Sequence, residues 1–230
     1  MISINYKGLF GNKLFEVSVA NFLSKKHNQE INTNWNKFLK INKPSNPTKT
    51  SGQIIVNDKN IEEVFNTENL THDLVLDDFF QTKFCTQKFI EYNEYENTVD
   101  SLIDATIIHM RLGDVKANNM SIEYDYYHEA IQKIENKKIF ITSDSPHDEM
   151  VQRLAKEHNA EVYTDTKENT IMFAANCKNK ILSAGSFSFW IGFLGSHFLK
   201  DQNGITICPK RDRSVVWYGD IFPAFDWEQI

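Results

Sequence analysis

The sequence predicts an α/β protein with a parallel sheet in its C-terminal half, and three observations carry that expectation. From Ile103 onward, short apolar runs alternate with amphipathic ones at close spacing, as strands and crossover helices of a parallel sheet do. At the start, an apolar run over Ile2–Tyr6 meets Gly8 and Gly11 and then a helical period, giving strand, glycine loop, helix. Three runs of the second half end in small polar or charged residues, His109–Asp114, Thr142–Ser145 and Ala184–Ser188. In a parallel sheet such ends share one edge, the edge where ligands bind.

Taken in order, Ile2–Tyr6 reads as a strand, Gly8–Gly11 as a turn, and Lys13–Lys26 as an amphipathic helix that turns Leu14, Val17 and Phe22 inward. The segment Lys43–Gly52, with Pro44 and Pro47 and no periodicity, reads as an exposed loop. The expected second half runs strand Thr106–His109, helix Tyr124–Glu135, strand Lys138–Thr142, helix Pro146–His158 and strand Glu161–Tyr163. It continues with helix Glu168–Ala175, strand Lys180–Leu182, a helix after Ser186, and strand Ile205–Cys208. Residues 1–100 are expected to form a reduced N-terminal α/β domain, and 101–230 a Rossmann-like domain.

With 41% hydrophobic residues in 230, the chain can bury a substantial core without disulfides. Cys85, Cys177 and Cys208 lie far apart in no metal-binding spacing and are expected reduced and buried. A net charge of -6 argues against nucleic-acid backbone as the main partner, while leaving room for one anionic small ligand in a local positive cleft. There is no secretory h-region and no apolar run of bilayer length, so the expectation is a cytoplasmic protein without an integral membrane segment.

Arginine is scarce, confined to Arg111, Arg153, Arg211 and Arg213, so an arginine at a strand end stands out. In Ile107–Asp114, Arg111 suits bidentate binding of a phosphate or pyrophosphate, or a simple pairing with Asp114. Gly8–Gly11 at a helix N-terminus suits an anion, and equally a plain tight turn. Ser143 and Asp144 before Pro146 fit a ligand edge or a helix cap. The pair Asp77–Asp78 invites a metal reading, but adjacent strand residues point to opposite faces and do not share an ion. Tyr126, Tyr127, Phe189 and Trp190 are assigned to packing, Lys210, Arg211 and Arg213 to a solvated charged face, and His128 and His147 receive no role.

With these motifs in place, the chain resembles the glycosyltransferase family that includes the bacterial α-1,2-fucosyltransferases, which is related to the GDP-fucose-dependent protein O-fucosyltransferases. Gly8-Leu9-Phe10-Gly11-Asn12-Lys13-Leu14-Phe15 is similar to the family's glycine-rich opening. Leu76–Phe84 is similar to its Phe-Gln-Ser segment, and His109-Met110-Arg111-Leu112-Gly113-Asp114 to its His-x-Arg-Arg-Gly-Asp signature. Tyr126–Ile131, Phe140–Asp144, Ser186–Trp190 and Ile207–Lys210 with Trp217 follow in the family's order. Leu112 stands where the signature has its second arginine, removing one possible contact, and the stretch before Ile107 is shorter than in the bacterial enzymes.

The resemblance implies a GT-B-like architecture of two Rossmann-like halves, with the nucleotide-binding parallel sheet in the C-terminal half. It implies metal-independent, inverting transfer of fucose from GDP-β-L-fucose to a glycan hydroxyl, with GDP-fucose as donor substrate and no cofactor. Arg111, Asn12 and Asp114 become the catalytic candidates. Gly11, His109, Asp144, Ser186, Phe187 and Ser188 become the substrate-binding ones: His109 and Arg111 for the pyrophosphate, Asp144 near the guanosine, 186–188 around the phosphates. Glu16 and Asp77 are further candidates for a base, and Asp114 has the alternative role of orienting Arg111. A transferase of another GDP-sugar, or an inactive nucleotide-sugar-binding protein, fits the same loops.

Overall fold

In a computed structural model, the described residues are 1–35, 37–97, 102–135, 138–199, 204–210, 221 and 226–230. They divide into two compact units, one over 1–96 with Ile221 and one over the rest. The expected boundary at 100, and the positions of Arg211, Arg213 and Trp217, lie outside the described residues.

The first unit holds β1 (Ile2–Ile4), α1 (Phe10–His27), β2 (Ile31–Asn32), β3 (Gln53–Val56), α2 (Ile61–Asn66), β4 (Asp73–Leu76) and α3 (Lys83–Tyr92). Its four strands form one parallel sheet in the order β2-β1-β4-β3. The segment Lys43–Gly52 contains no helix or strand, as its prolines dictate.

Helix α1 departs from the expected amphipathic pattern, for Leu14 through Ser24 are all buried. Its polar residues enter a buried network in place of solvent. The Asn21 amide donates to Asn93 Oδ1 at 3.0 Å, the Asn93 amide donates to the Ser18 carbonyl, and Asn21 Oδ1 accepts from the Asn42 amide at 2.7 Å. A buried polar group with partners costs little, so the helix need not turn that face to water. Its apolar side carries an aromatic cluster in which Phe22 meets Phe65, Phe84, Phe89 and Tyr92 at centroid distances of 5.7–6.5 Å.

The second unit holds β5 (Ile103–Met110), α4 (Gly113–Ala117), α5 (Tyr124–Gln132), β6 (Ile139–Ser143), α6 (Glu149–Glu157) and β7 (Glu161–Val162). It continues with α7 (Lys167–Asn176), β8 (Cys177–Ile181), α8 (Ser186–Phe198), β9 (Thr206–Cys208) and β10 (Glu228–Gln229). All six strands are parallel, in the order β10-β9-β8-β5-β6-β7. Counted from β5, this is the 3-2-1-4-5-6 order of a doubly wound sheet, compatible with a Rossmann-like fold. The winding reverses between β5 and β8.

Helix α6 begins at Glu149, not at Pro146, because Asp148 is the residue whose side chain accepts the Met150 amide. The short helix α4 and the strand β10 are additions to the sequence expectation. Tyr126, Tyr127, Phe189 and Trp190 are 0–1% exposed, in agreement with their assignment to packing. The three cysteines are free and buried, and burial pushes each thiol up to about 12.

Lys180 on β8 is buried with its ammonium donating to the Cys177 carbonyl at 2.5 Å. Its stem passes the face of α8 where Gly195 stands: a Cβ there would lie 2.1 Å from Lys180 Cε and 3.0 Å from the Ala175 carbonyl oxygen. In an ordinary helix interior Gly→Ala stabilises by about 1 kcal/mol. Gly195→Ala is expected instead to destabilise by roughly 1–3 kcal/mol through overpacking, read as a lower urea midpoint at unchanged slope.

Candidate functional site

The switch point of the second unit is built by β5, β6 and β8. Met110 pairs with Ser143, and Ile108 with Ile181, so the residues following all three strands emerge together. They are Arg111, Asp144 and the loop to Gly185.

Arg111 and Leu112 leave β5 in opposite senses. Leu112 is 0% exposed and packs in the core with Met110, Ile122 and Tyr126, whereas Arg111 is partly exposed. The leucine at the position of the signature's second arginine is therefore a core residue. The Arg111 side chain passes over Gly185, where a Cβ would lie 2.6 Å from Nη1, and Gly185 has φ of +109°, so glycine is required there twice over.

Arg111 donates to Asp114 from Nη2, at 3.0 Å to Oδ2, with a longer contact of 3.4 Å from Nε to Oδ1. This pairing holds the Asp114 carboxyl below its ordinary pKa, which makes Asp114 a weaker base than a free aspartate. Its geometry is that of a residue orienting Arg111.

Asp144 fastens the turn itself. Its Oδ1 accepts the Leu112 amide at 2.8 Å and the Gly113 amide at 3.1 Å, and a Cβ at Gly113 would lie 2.8 Å from Oδ2. The cap that Asp144 supplies thus serves the start of α4, one strand away from the helix that follows it in sequence.

His109 points inward. It is 6% exposed, its Nδ1 lies 2.5 Å from Ser188 Oγ, and its ring leans on Phe187 at 5.1 Å. Burial lowers its pKa to about 4 against the opposing pull of Asp144, with Arg111 adding to the fall, so the imidazole is neutral near pH 7. Ser188 is fully buried with it, leaving Ser186 and Phe187, both partly exposed, at the open end of α8. The N-cap residue of α8 is Gly185, which has no side chain to cap the helix, and the first turn carries no acidic residue. Its leading N–H groups and the positive end of its dipole suit an anion.

Gly11 and Asn12 belong to the first unit, where the loops after β1 and β4 meet. Gly8 has φ of +66°, and the Asn12 amide occupies the place of its missing Cβ. Asn12 Oδ1 accepts from Gln81 Nε2 at 2.9 Å, and Lys7 Nζ reaches the Asp77 carbonyl at 2.9 Å and its carboxylate at 3.3 Å. The structure thus brings together the glycine-rich opening and the Leu76–Phe84 segment. Gly11 is buried in α1.

Glu16 lies beneath this loop at 0% exposure, with Oε1 accepting the Lys7 amide at 2.8 Å and Oε2 without a hydrogen-bond partner among the described residues. Burial raises its pKa to about 7. It is a positioning group for the glycine loop, sealed from solvent. Asp77 is tied to Lys7 and Asn5, and Asp78 accepts the amides of Asp58 and Phe79, so the aspartate pair organises loops.

No family model matches the chain, and no curated protein or solved structure matches it either.

Sequence reasoning placed Gly185 in a strand-end loop but missed its contact with Arg111, 74 positions away, and the positive φ that also calls for glycine there. It also missed the contact of His128 with His158, which lie on different helices.

Two measurements follow from this geometry. His109 titrates near 4 when folded and near its ordinary 6.5 when unfolded. The unfolded chain binds the extra proton between those values, so stability is present above pH 6.5 and is lost toward pH 4, by about 3 kcal/mol in full. Chemical denaturation across that range is expected to show a shallower acid loss in His109→Gln than in the wild type. Leu112→Arg is expected to destabilise by about 3 kcal/mol or more, because it buries an unpaired charge. A denaturation midpoint equal to that of the wild type would contradict the placement of position 112 in the core.

Proposed function

We propose that this protein is a GT-B-like inverting glycosyltransferase that moves fucose from GDP-β-L-fucose to a hydroxyl of a glycan acceptor, with no divalent ion at the donor site. The observation that carries the reading is Arg111 at the switch point of a doubly wound sheet, oriented by Asp114 and crossing Gly185, the N-cap residue of α8. Two sources of positive potential, a guanidinium and a helix N-terminus, converge where open α/β sheets bind ligands.

Departure of GDP builds negative charge on the β-phosphate. A fixed Arg111 meets that charge with two N–H donors where it develops, the role a metal ion plays in other transferases. One such donor is worth about 3 kcal/mol in a site that excludes water. The first turn of α8, at Ser186 and Phe187, takes the phosphate oxygens, while neutral His109 and Ser188 form the floor that holds Phe187 and the start of α8 in place. Asp144 keeps the β5 turn closed, and the resemblance assigns it a place near the guanosine. In the first unit, Gly11 and Asn12, which the resemblance assigns to the reacting sugar, adjoin the loop that Gln81 and Glu16 fasten. The resemblance of these segments to the fucosyltransferase family selects the sugar.

Calorimetric titration with GDP and GDP-fucose in the presence of a chelator tests the reading. Wild-type protein is expected to bind both without added metal, and Arg111→Ala to lose binding and to reduce transfer by about 10²–10³-fold. Near-normal turnover in Arg111→Ala, or absence of GDP binding by the wild type, would sink the proposal. Hydrolysis rates for GDP-fucose, GDP-mannose and UDP-sugars compared side by side fix the donor.

A further inference from the structure

Helices α5 and α6 follow consecutive strands that step the same way across the sheet, so right-handed crossovers place them side by side on one face. Where they meet, side chains from both helices form a polar cluster that the proposed transfer does not use. His128 from α5 and His158, the residue capping the end of α6, face each other with Nδ1 and Nε2 3.2 Å apart. Glu157, the last residue of α6, brings its carboxylate to the same place, and one ligand atom from each of the three lies within 4.8 Å of the others. Both histidines are partly exposed and Glu157 is exposed, so an ion can reach them.

We propose that His128, His158 and Glu157 form a binding site for a zinc-class divalent transition-metal ion that ties α5 to α6. Three features support it. Two imidazole nitrogens bound to a tetrahedral zinc at ordinary bond lengths stand about 3.3 Å apart, which is close to the spacing already present. Two histidines and one carboxylate are a donor set that zinc, nickel and copper accept and magnesium does not favour. Finally, Gln132 lies 3.0 Å from the outer nitrogen Nε2 of His128. With its amide oxygen turned to that nitrogen it accepts the Nε2–H, which leaves the lone pair on Nδ1 facing inward, the second-layer contact that metal-binding histidines use.

The remaining contacts place the carboxylate. Glu157 Oε1 accepts from Arg153 Nε at 2.8 Å, Oε2 accepts from the Tyr124 hydroxyl, and the Arg153 guanidinium covers the Tyr124 ring at 4.0 Å. Each carboxylate oxygen keeps a second lone pair, so ligation adds to this network without dismantling it. Water completes the coordination. Because α6 runs back from the strand-end edge where Asp148 caps it, its last turn lies toward the opposite edge of the sheet from Arg111. The ion is therefore structural, and the site stands or falls apart from the proposed transfer.

Calorimetric titration of the tag-free full chain, stripped with a chelator, with zinc and separately with magnesium tests this directly. The expected result is one saturable zinc equivalent, no magnesium binding, and a zinc-dependent rise in melting temperature. His128→Ala and His158→Ala are each expected to weaken zinc binding more than tenfold and to abolish the thermal rise, with Gln132→Ala weakening binding about tenfold. His147→Ala, an exposed histidine elsewhere, is expected to leave both unchanged. Zinc binding that is absent from the wild type, or undiminished in both histidine variants, would show a hydrogen-bonded histidine pair only and overturn the proposal. Cobalt-loaded wild-type protein gives a readout that needs no variant: visible bands of four-coordinate cobalt support the site, and their absence at saturating cobalt overturns it.

Discussion

The carboxylate of Asp144, accepting the amide hydrogens of Leu112 and Gly113, fixes the turn on which the strand-end edge of the second unit depends. Hydrogen bonds to a charged acceptor contribute about 1.5–3 kcal/mol each, enough to hold a short turn in one conformation. That conformation sends Leu112 into the core and Arg111 over Gly185, two consequences of a single backbone path. Asp114 then limits the swing of the guanidinium. Each glycine in the arrangement answers a specific neighbour: Gly113 makes room for Asp144, and Gly185 for Arg111.

The first unit builds its own edge by the same logic with different residues. Gly8 makes room for the Asn12 side chain, Gln81 holds Asn12 from the neighbouring strand end, and Glu16 holds the loop from below. Glu16 and His109 are both buried beneath a loop, and desolvation moves both toward their neutral forms, one pKa upward to about 7 and the other downward to about 4. Near pH 7 His109 is therefore neutral and Glu16 only partly ionised. Arg111 keeps its charge, for its guanidinium stays protonated at any working pH.

Burying polar groups with partners recurs through the chain. The Ser and Asn residues of α1 close a network with Asn42 and Asn93, and Lys180 finds the Cys177 carbonyl within the second unit. Each is a place where the polar residue looks like a surface residue in the sequence. The cost of leaving any of them unpaired exceeds what the bond itself returns, so such networks specify one arrangement strongly.

Much of the second unit was legible in the sequence. The alternation of apolar runs gave β5 through β9 and helices α5 through α8 to within a few residues, because a buried strand and an amphipathic helix each impose a period that survives without knowledge of neighbours. The strand-end residues Arg111, Asp144 and Ser186 were legible for the same reason, since a parallel sheet gathers the ends of its strands. The roles within that set were not. That Asp144 caps a helix one strand away, that His109 and Ser188 face inward, that Leu112 is core, and that His128 meets His158 all depend on register and on side-chain direction. Local sequence determined which segments became strands and helices; only the tertiary structure, by bringing residues dozens of positions apart within hydrogen-bonding distance and out of water, decided which polar side chains support and which are presented.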